Sequence, residues 1–568
     1  MDDVDAVQAQ IARNMLDSGD WVTARLDGVP YLEKAPLPYW LMAGSYSLFG
    51  VHDWAARLPV LLSILALCAL LVYMGRWAFS REAGFYAGLV MATSIGVFLF
   101  TRILIPDITL TATIALALWG MLRALEEDEP RPRLWAAVMA LSIGAGLLLK
   151  GLIALVFPGA AGFLFLLFSG QVMQRRTWQR LRPVSSTLLI LLVAAPWHIA
   201  ATLSNPPNFD FSMTSGPGNY RGFFWFYFFN EHILRFLNRR WPRDYNTVPR
   251  FLFWLFHLLW FFPWSAYLPR LARLTCRGSD RAARVRLLCL CWIGFILVFF
   301  TFSTTQEYYS MPAYPAFALL LGCAMAEGSA WLRRGAYAVA AVCTLAFTAV
   351  AFILFQVWNL PAPGDISAAL ASNPDMYTLS LGHMGDLTLN SFAYLKLPLA
   401  LAGAAFLLGA VLTWRYRARA TQLGLAVMLA LFLNAARIAM VAFDPYLSSY
   451  PLAAALKSSP PGQVIFAGQY YTFSSVFFYA DLKQALLLNG RHNNLEYGSY
   501  APGAPDVFID EARLLALWRE PRRAYLVVEG PKIPDLEKLL GREWMHPVRA
   551  AGGKSLFVNH PWTAGVRP

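Results

Sequence analysis

Charge is scarce in this chain. Only 14% of its 568 residues are Asp, Glu, Lys or Arg, against 57% hydrophobic. A soluble protein of that length divides into several domains with polar surfaces; this chain lacks the charge to cover them. Metal-ligand cysteine spacing is missing too. Cys68, Cys289, Cys291, Cys323 and Cys343 fall in apolar stretches and Cys276 in a short basic loop, so structural disulfides are not expected. No glycine-rich phosphate loop or dinucleotide fingerprint is evident, which argues against a soluble nucleotide donor. No basic, aromatic-interleaved soluble module accompanies the net charge of +13, so nucleic acid is not the expected partner. The start, MDDVDAVQAQIARNML, lacks the basic n-region and apolar h-region of a cleavable signal. Val7, Ile11 and Met15 repeat there at the spacing of one helix face.

What the chain has in quantity is apolar runs. Roughly 17–22 apolar residues cross about 30 Å of hydrocarbon. Such runs fall near 57–79, 83–100, 106–124, 134–149, 152–168, 185–203, 248–268, 287–302, 312–330, 335–357, 396–413 and 420–443. Beyond them the pattern changes. GQVIFAG, DVFID and RAYLVVEG are short β-like runs, and DEARLLALW between them is helix-like. The expected fold is mainly α: a polytopic helical membrane protein over residues 1–443, then a small α/β domain over 444–568.

Arginine separates the connections into two sets. RWAFSRE, RALEEDEPRPR, QRRTWQRLR, RLARLTCRGSDRAARVR, WLRRG and WRYRARA are short and basic, and should be cytoplasmic. The other set should be extracytoplasmic: residues 1–56, TRILIPD, the turn at Lys150, the loop 204–247, STTQEYY, the loop 358–395 and the C-terminal domain. An even number of spans puts residue 1 outside, with nothing upstream to carry residues 1–56 across. A first transmembrane helix encoded upstream is therefore expected; an in-frame stop just upstream would refute it.

The unusual polar residues gather on that outer set, and charges near hydrocarbon tend to mark function. DDVD presents Asp3 and Asp5, which suit a helix start and also fit the Asp-x-Asp pattern of sugar transferases. YLEKAPLPYW presents Tyr31, Glu33 and Lys34 in a loop stiffened by Pro36 and Pro38; it reads as a surface ion pair or as a cation and carboxylate for a phosphate, a metal or a sugar hydroxyl. TRILIPDITLT sets Arg102 and Asp107 about a tight turn, with Asp107 entering an apolar helix. Lys150 either snorkels or holds a lipid phosphate. YRGFFWFYFFNEHILRFLNRRW places Arg221, Glu231, His232, Arg235, Arg239 and Arg240 beside a dense aromatic run. The run resembles a helix lying in the headgroup layer, and its basic residues fit either ordinary anionic lipid or a specific anionic ligand. Gln306, Glu307, Tyr308 and Tyr309 precede a span; an aromatic belt explains the tyrosines but not Glu307. Together these residues describe a cavity at the membrane surface with a greasy approach, which suits a lipid-linked phosphate.

At these motifs the chain resembles the lipid-phosphate-sugar glycosyltransferases. That family includes protein O-mannosyltransferases and the bacterial lipid A aminoarabinose transferases, and the resemblance is strongest to the latter branch. It rests on VQAQIARNMLDSGDWVTARLDGVPYLEKAPLPYW, TRILIPD, LLLKG, EHILRF and EYYSMPAYPA, in that order over roughly residues 2–320. It implies a GT-C-type architecture of about thirteen spans once a first helix is counted, against about twelve here. The family's acidic motif is usually Asp followed directly by Glu. Here it is DDVD, and one proline of the Glu-Lys-Pro-Pro loop is replaced by Ala35. The implied activity is transfer of a sugar from a polyprenyl (undecaprenyl) phosphate donor, with inversion, at the outer face of a bacterial cytoplasmic membrane.

On that reading Lys34, with Arg235 or Lys150, faces the phosphate, and Arg102 belongs to the same group. Preorganised cations aimed at developing charge are usually the largest catalytic contribution. A carboxylate takes the acceptor proton, Asp3 or Asp5, while Asp107 positions a cation or the acceptor. Tyr31, Glu33, Glu231, His232, Glu307, Tyr308 and Tyr309 would contact substrate. Glu33 and His232 are two candidate ligands for a divalent metal, too few to assign one. Lipid A, a protein or another glycan are all open as acceptors. A lipid-linked glycan flippase or a glycan polymerase or ligase are the competing functions, although a transporter would need mid-membrane charges and internal repeats.

Overall fold

The computed structural model describes residues 1–214, 216–242, 248–303, 306–371 and 383–561. Parts of the loops 204–247 and 358–395, two residues of STTQEYY and the last seven residues of the C-terminal domain lie outside that range.

The twelve apolar runs all fall on helices. Eight of those helices are long and apolar enough to cross a membrane: Asp53–Ala78, Asp107–Leu125, Pro132–Lys150, Arg175–Ser204, Arg281–Phe302, Ala330–Val357, Asn390–Trp414 and Arg419–Leu447. Two further pairs are sharply bent, Arg81–Ala92 with Ile95–Thr101 at 49° and Arg250–Trp260 with Trp264–Leu271 at 96°, which makes up to ten spans when each pair counts as one. Ile153–Phe168 and Met311–Glu327 are apolar but shorter. The protein is thus a multi-pass membrane protein, and helices are the form its apolar runs must take, because lipid offers the backbone no hydrogen-bond partners.

The helices α1 to α8, between Asp3 and Phe168, position the polar site. α1 (Asp3–Ser18) begins with Asp2 Oδ1 accepting from the Asp5 N–H at 2.9 Å and stops at Gly19 with φ of 71°. α2 (Leu37–Phe49) follows the Glu33-Lys34 loop, with Pro38 in its first turn, where the missing N–H costs nothing. α3 (Asp53–Ala78) and α4 (Arg81–Ala92) cross very closely: a Cβ on Gly75 would sit 2.7 Å from Gly84 Cα. After the bend, α5 (Ile95–Thr101) leads through a turn to α6 (Asp107–Leu125). α7 (Pro132–Lys150) and α8 (Ile153–Phe168) meet at Gly151, whose φ of +68° suits glycine and where a Cβ would collide with the His232 ring.

The C-terminal segment forms a six-stranded sheet in the order β5-β4-β3-β6-β8-β7. Here β3 is Gln463–Ala467, β4 Leu486–Leu488, β5 Phe508–Ile509, β6 Ala524–Glu529, β7 His546–Ala551 and β8 Lys554–Val558, after a short hairpin of β1 (Arg25–Leu26) and β2 (Val29–Pro30). β3 to β6 run parallel, and β8 and β7 close one edge antiparallel. Side chains alternate between faces, as the strand period requires. Ile465 and Ala467 of β3 join Leu514, Trp518 and Leu536 on one side. Val464 and Phe466 face the other way and pack with Val7, Ile11 and Met15. The amphipathic start of the chain therefore covers one face of a sheet built from its end.

Candidate active site

The loop between β2 and α2 carries Glu33, whose side chain is only 8% exposed. Lys34 Nζ donates to Glu33 Oε1 at 2.6 Å, and Tyr31 OH donates to Oε2 at 2.7 Å. Asn494 Nδ2 also donates to Oε2, and Arg235 lies 3.6 Å from Oε1. Burial opposes ionisation of this carboxyl. The charges of Lys34, Arg240 and Arg235 outweigh it and hold the group well below the usual carboxylate range. Glu33 is thus an anion whose task is to hold cations in place.

The aromatic run of the 204–247 loop forms a π-helical turn over Trp225–Leu234. The wider turn brings Glu231 and Arg235 to bear on the Glu33 loop. Glu231 accepts from Arg235 at 3.0 Å and from Arg240 Nε at 2.6 Å. Arg240 in turn donates to Asn494 Oδ1 at 2.7 Å. A closed circuit results: Glu33, Arg235, Glu231, Arg240, Asn494 and back to Glu33.

Next to it stands a second pair. Lys150 Nζ donates to Asp107 Oδ1 at 2.6 Å, and lies 5.0 Å from the ring centres of both Tyr308 and Tyr309. The like charges of Lys34 and Arg235 are near enough to act on Lys150. Asp107 is 2% exposed and its Oδ2 has no hydrogen-bond partner. Glu307, from the same turn as the tyrosines, is buried.

The third group joins α1, α3 and the turn before α6. Asp5 Oδ1 accepts from the Leu104 N–H at 2.8 Å, and its Oδ2 pairs with Arg57. Arg57 also donates to the Arg102 carbonyl, and the Arg102 charge acts on Asp2 and Asp5. Asp2, pressed by burial and by the charge of Asp5, is pushed up to about 7.

The expected residues are therefore distributed unevenly. Glu33, Glu231, Arg235 and Arg240 belong to one circuit, Lys34 and Tyr31 bond to its Glu33, and Lys150, Asp107, Tyr308 and Tyr309 stand beside it. Asp3 is directed elsewhere. Its oxygens accept from the Ser475 N–H at 2.8 Å, Lys554 Nζ at 2.7 Å and Ser449 Oγ at 3.1 Å, all in the C-terminal half. Glu33 and His232, the two metal-ligand candidates, each have other partners in the structure. His232 Nε2 accepts from the Leu152 N–H at 3.2 Å and Nδ1 lies 2.6 Å from the Tyr227 carbonyl, so both ring nitrogens are engaged. Burial lowers the His232 pKa to about 4, and Arg235 adds to the effect. Glu33 is hemmed in by cations that would repel a metal, and among the described residues no three His, Cys, Asp or Glu converge as metal ligands. The sequence reading gave no role to Asn494, Arg57, Lys554 or Tyr497. Tyr497 accepts from the Arg221 N–H and donates to the Gly222 carbonyl, both at 3.0 Å, while its ring stacks 4.0 Å from Phe226. GRHNNLEYGS carries no signal for this, since it reads as an ordinary polar connection.

Comparison with solved structures decides the architecture. The fold matches ArnT from Cupriavidus metallidurans, crystallised with undecaprenyl phosphate, at a TM-score of 0.79 over 99% of this chain and 95% of that one, with 22% identity. The chain has the ArnT fold. The expected polytopic helical architecture with its small C-terminal α/β domain stands, and the resemblance to lipid-phosphate-sugar glycosyltransferases is carried by the sequence comparisons. Residues 33–199 match the family described as dolichyl-phosphate-mannose-protein mannosyltransferase. A Sodalis glossinidius protein named undecaprenyl phosphate-alpha-4-amino-4-deoxy-L-arabinose arabinosyl transferase 1 is 30% identical over 361 residues, 61% of this chain and 58% of its own length. An Aeromonas salmonicida transferase of the same type is 28% identical, over 62% of this chain and 66% of its own. The aligned region thus spans about three-fifths of the length of these relatives.

Proposed function

We propose that this protein transfers a glycosyl group from a polyprenyl phosphate-sugar donor to an acceptor hydroxyl or phosphate at the outer face of the cytoplasmic membrane. The observation that carries the reading is the ionised, buried Glu33 surrounded by Lys34, Arg235 and Arg240, with Lys150 alongside. Such a set of fixed cations suits a phosphate that gains charge as its bond to the sugar breaks. The names of the relatives support undecaprenyl phosphate as the carrier and 4-amino-4-deoxy-arabinose as the first sugar to test.

In the proposed step the acceptor oxygen attacks the anomeric carbon from the face opposite the phosphate. The carbon–oxygen bond to phosphate breaks, and its electron pair leaves with the phosphate, so the anomeric configuration inverts. Lys34, Arg235 and Lys150 meet the growing negative charge. The acceptor proton needs a carboxylate with an open lone pair. Both Asp5 oxygens are engaged by Leu104 and Arg57, and Asp3 anchors the C-terminal domain. Asp107 keeps Oδ2 without a partner, and the proton is assigned to it, while Asp5 and Arg57 fix the turn that carries Arg102. The arginine-rich connections support placing this site on the extracytoplasmic side.

The test is a transfer assay with purified protein in lipid, polyprenyl-phosphate sugars, and lipid A, peptide or glycan acceptors. Release of polyprenyl phosphate that is lost in Lys34→Ala and in Asp107→Asn supports the proposal. Tight lipid-phosphate binding without release, across the whole panel, overturns it in favour of a carrier or flippase.

A further inference from the structure

At the far ends of α3 and α6, away from the carboxylate–cation site, lies a second basic cavity. Its lining is Tyr73, Arg76 and Trp77 of α3, Arg81 of α4, and Trp119 and Arg123 of α6, about an open volume of ≈ 380 Å³. At 1.5 Å per residue, the 19 residues from Arg57 to Arg76 put it roughly 28 Å from the Asp5 network, on the opposite face of the helical layer.

The charges of this cavity are not all used up by the protein. Arg123 donates to Glu129 at 2.6 Å and lies 4.5 Å over the Trp135 ring. Arg281, over Trp77 at 4.9 Å, is paired with Asp128. The acidic turn 126–129 thus neutralises its own neighbours. Arg76 and Arg81 are exposed and form no ion pair among the described residues. Trp77 and Trp119 pack edge to face, 6.5 Å apart, as an apolar floor.

We propose that this cavity binds the phosphodiester headgroup of an anionic membrane lipid. Two guanidiniums without partners present planar, bidentate donors to phosphate oxygens. The tryptophans mark the depth at which headgroup meets hydrocarbon, and the acyl chains continue along the exposed apolar residues Leu61, Leu62 and Leu65 of the same helix. Basic pockets between membrane helices recognise anionic headgroups through this combination. The site does not depend on the glycosyl-transfer reading, because none of its residues belongs to that circuit.

The experiment is native mass spectrometry of the full-length protein released from nanodiscs of phosphatidylglycerol mixed with phosphatidylcholine. The variants are Arg76→Gln/Arg81→Gln and, as a charge-matched control, Arg513→Gln/Arg549→Gln on the C-terminal domain. The expected result is one tightly retained phosphatidylglycerol, its retention reduced at least about tenfold in the cavity variant and unchanged in the control. Equal retention of the two lipids, or retention that survives the cavity variant, overturns the proposal. Displacement of the lipid by millimolar inorganic phosphate would make this a free-anion site and overturn it equally. Unchanged thermal unfolding of the cavity variant shows that the loss is local.

Discussion

Asn494 Nδ2 donates to Glu33 Oε2, across 461 residues of sequence. The same amide accepts from Arg240 through its oxygen at 2.7 Å. One neutral side chain from the C-terminal domain thus holds both the carboxylate and one of the arginines of the membrane-embedded half.

Asn494 is on this geometry a positioning residue. Asn494→Ala leaves Glu33 and Arg240 each short of a partner. The expected cost is about 1–3 kcal/mol, read as a fall in turnover of about 5- to 150-fold with donor KM little changed. Asn494→Asp sets a carboxylate against Glu33 and should do worse than alanine. A purely structural role would instead lower the unfolding temperature and leave turnover of the folded fraction intact.

Lys34→Ala should lower transfer by about 10²–10³-fold, as for other preorganised charge-stabilising groups. Lys34→Arg keeps the charge but changes its shape, and should recover only part of the rate. Steady-state release of polyprenyl phosphate measures both.

Asp107→Leu leaves the mostly buried Lys150 without its counter-charge and should destabilise the protein by up to about 3–5 kcal/mol. The double variant Asp107→Leu/Lys150→Met removes both charges and should regain most of that stability while remaining inactive. Thermal unfolding in detergent, set beside transfer activity, separates the two effects.

Asp27 supplies a pH prediction. It sits in the β1–β2 turn, accepts from the Ala485 N–H at 2.9 Å, and burial pushes its pKa up to about 7. A carboxyl with a raised folded pKa holds its proton more tightly when folded. Its contribution is full below the unfolded value, near 4, and is lost as pH rises through about 7. Asp2 behaves alike. Stability should therefore fall between about pH 4 and pH 7, and Asp27→Asn should shrink that fall by about half. An unchanged slope in unfolding temperature against pH would refute it.

Much of the fold was legible because its causes are local. The run 57–79 is apolar for longer than a bilayer is thick, and it became α3. Val464 and Phe466 against Ile465 and Ala467 alternate as a strand does, and they face two different cores. Val7, Ile11 and Met15 were readable as one helix face, but not as a face laid on a sheet more than 450 residues away. The site was legible in its outline. Glu33, Lys34, Arg235, Lys150 and Asp107 stand out as charges at the edges of apolar text. Asn494 and Arg57 do not stand out, since a polar loop and a basic span start are ordinary contexts for such residues.

The sequence by itself determined where helices lie, which connections are basic, and which charges sit too close to hydrocarbon to be ornamental. Backbone hydrogen bonding and the avoidance of lipid act over a few residues, so a short window of text contains them. Only the tertiary structure decided how those charges are shared. It turned Asp3 towards Lys554, 551 residues away, gave Glu33 to Asn494, and engaged both ring nitrogens of His232 with backbone groups. Those pairings depend on distance in space, and the cost of bringing two remote segments together rises only slowly with the length of chain between them. Separation along the chain therefore carries almost no information about which charge a buried carboxylate will meet.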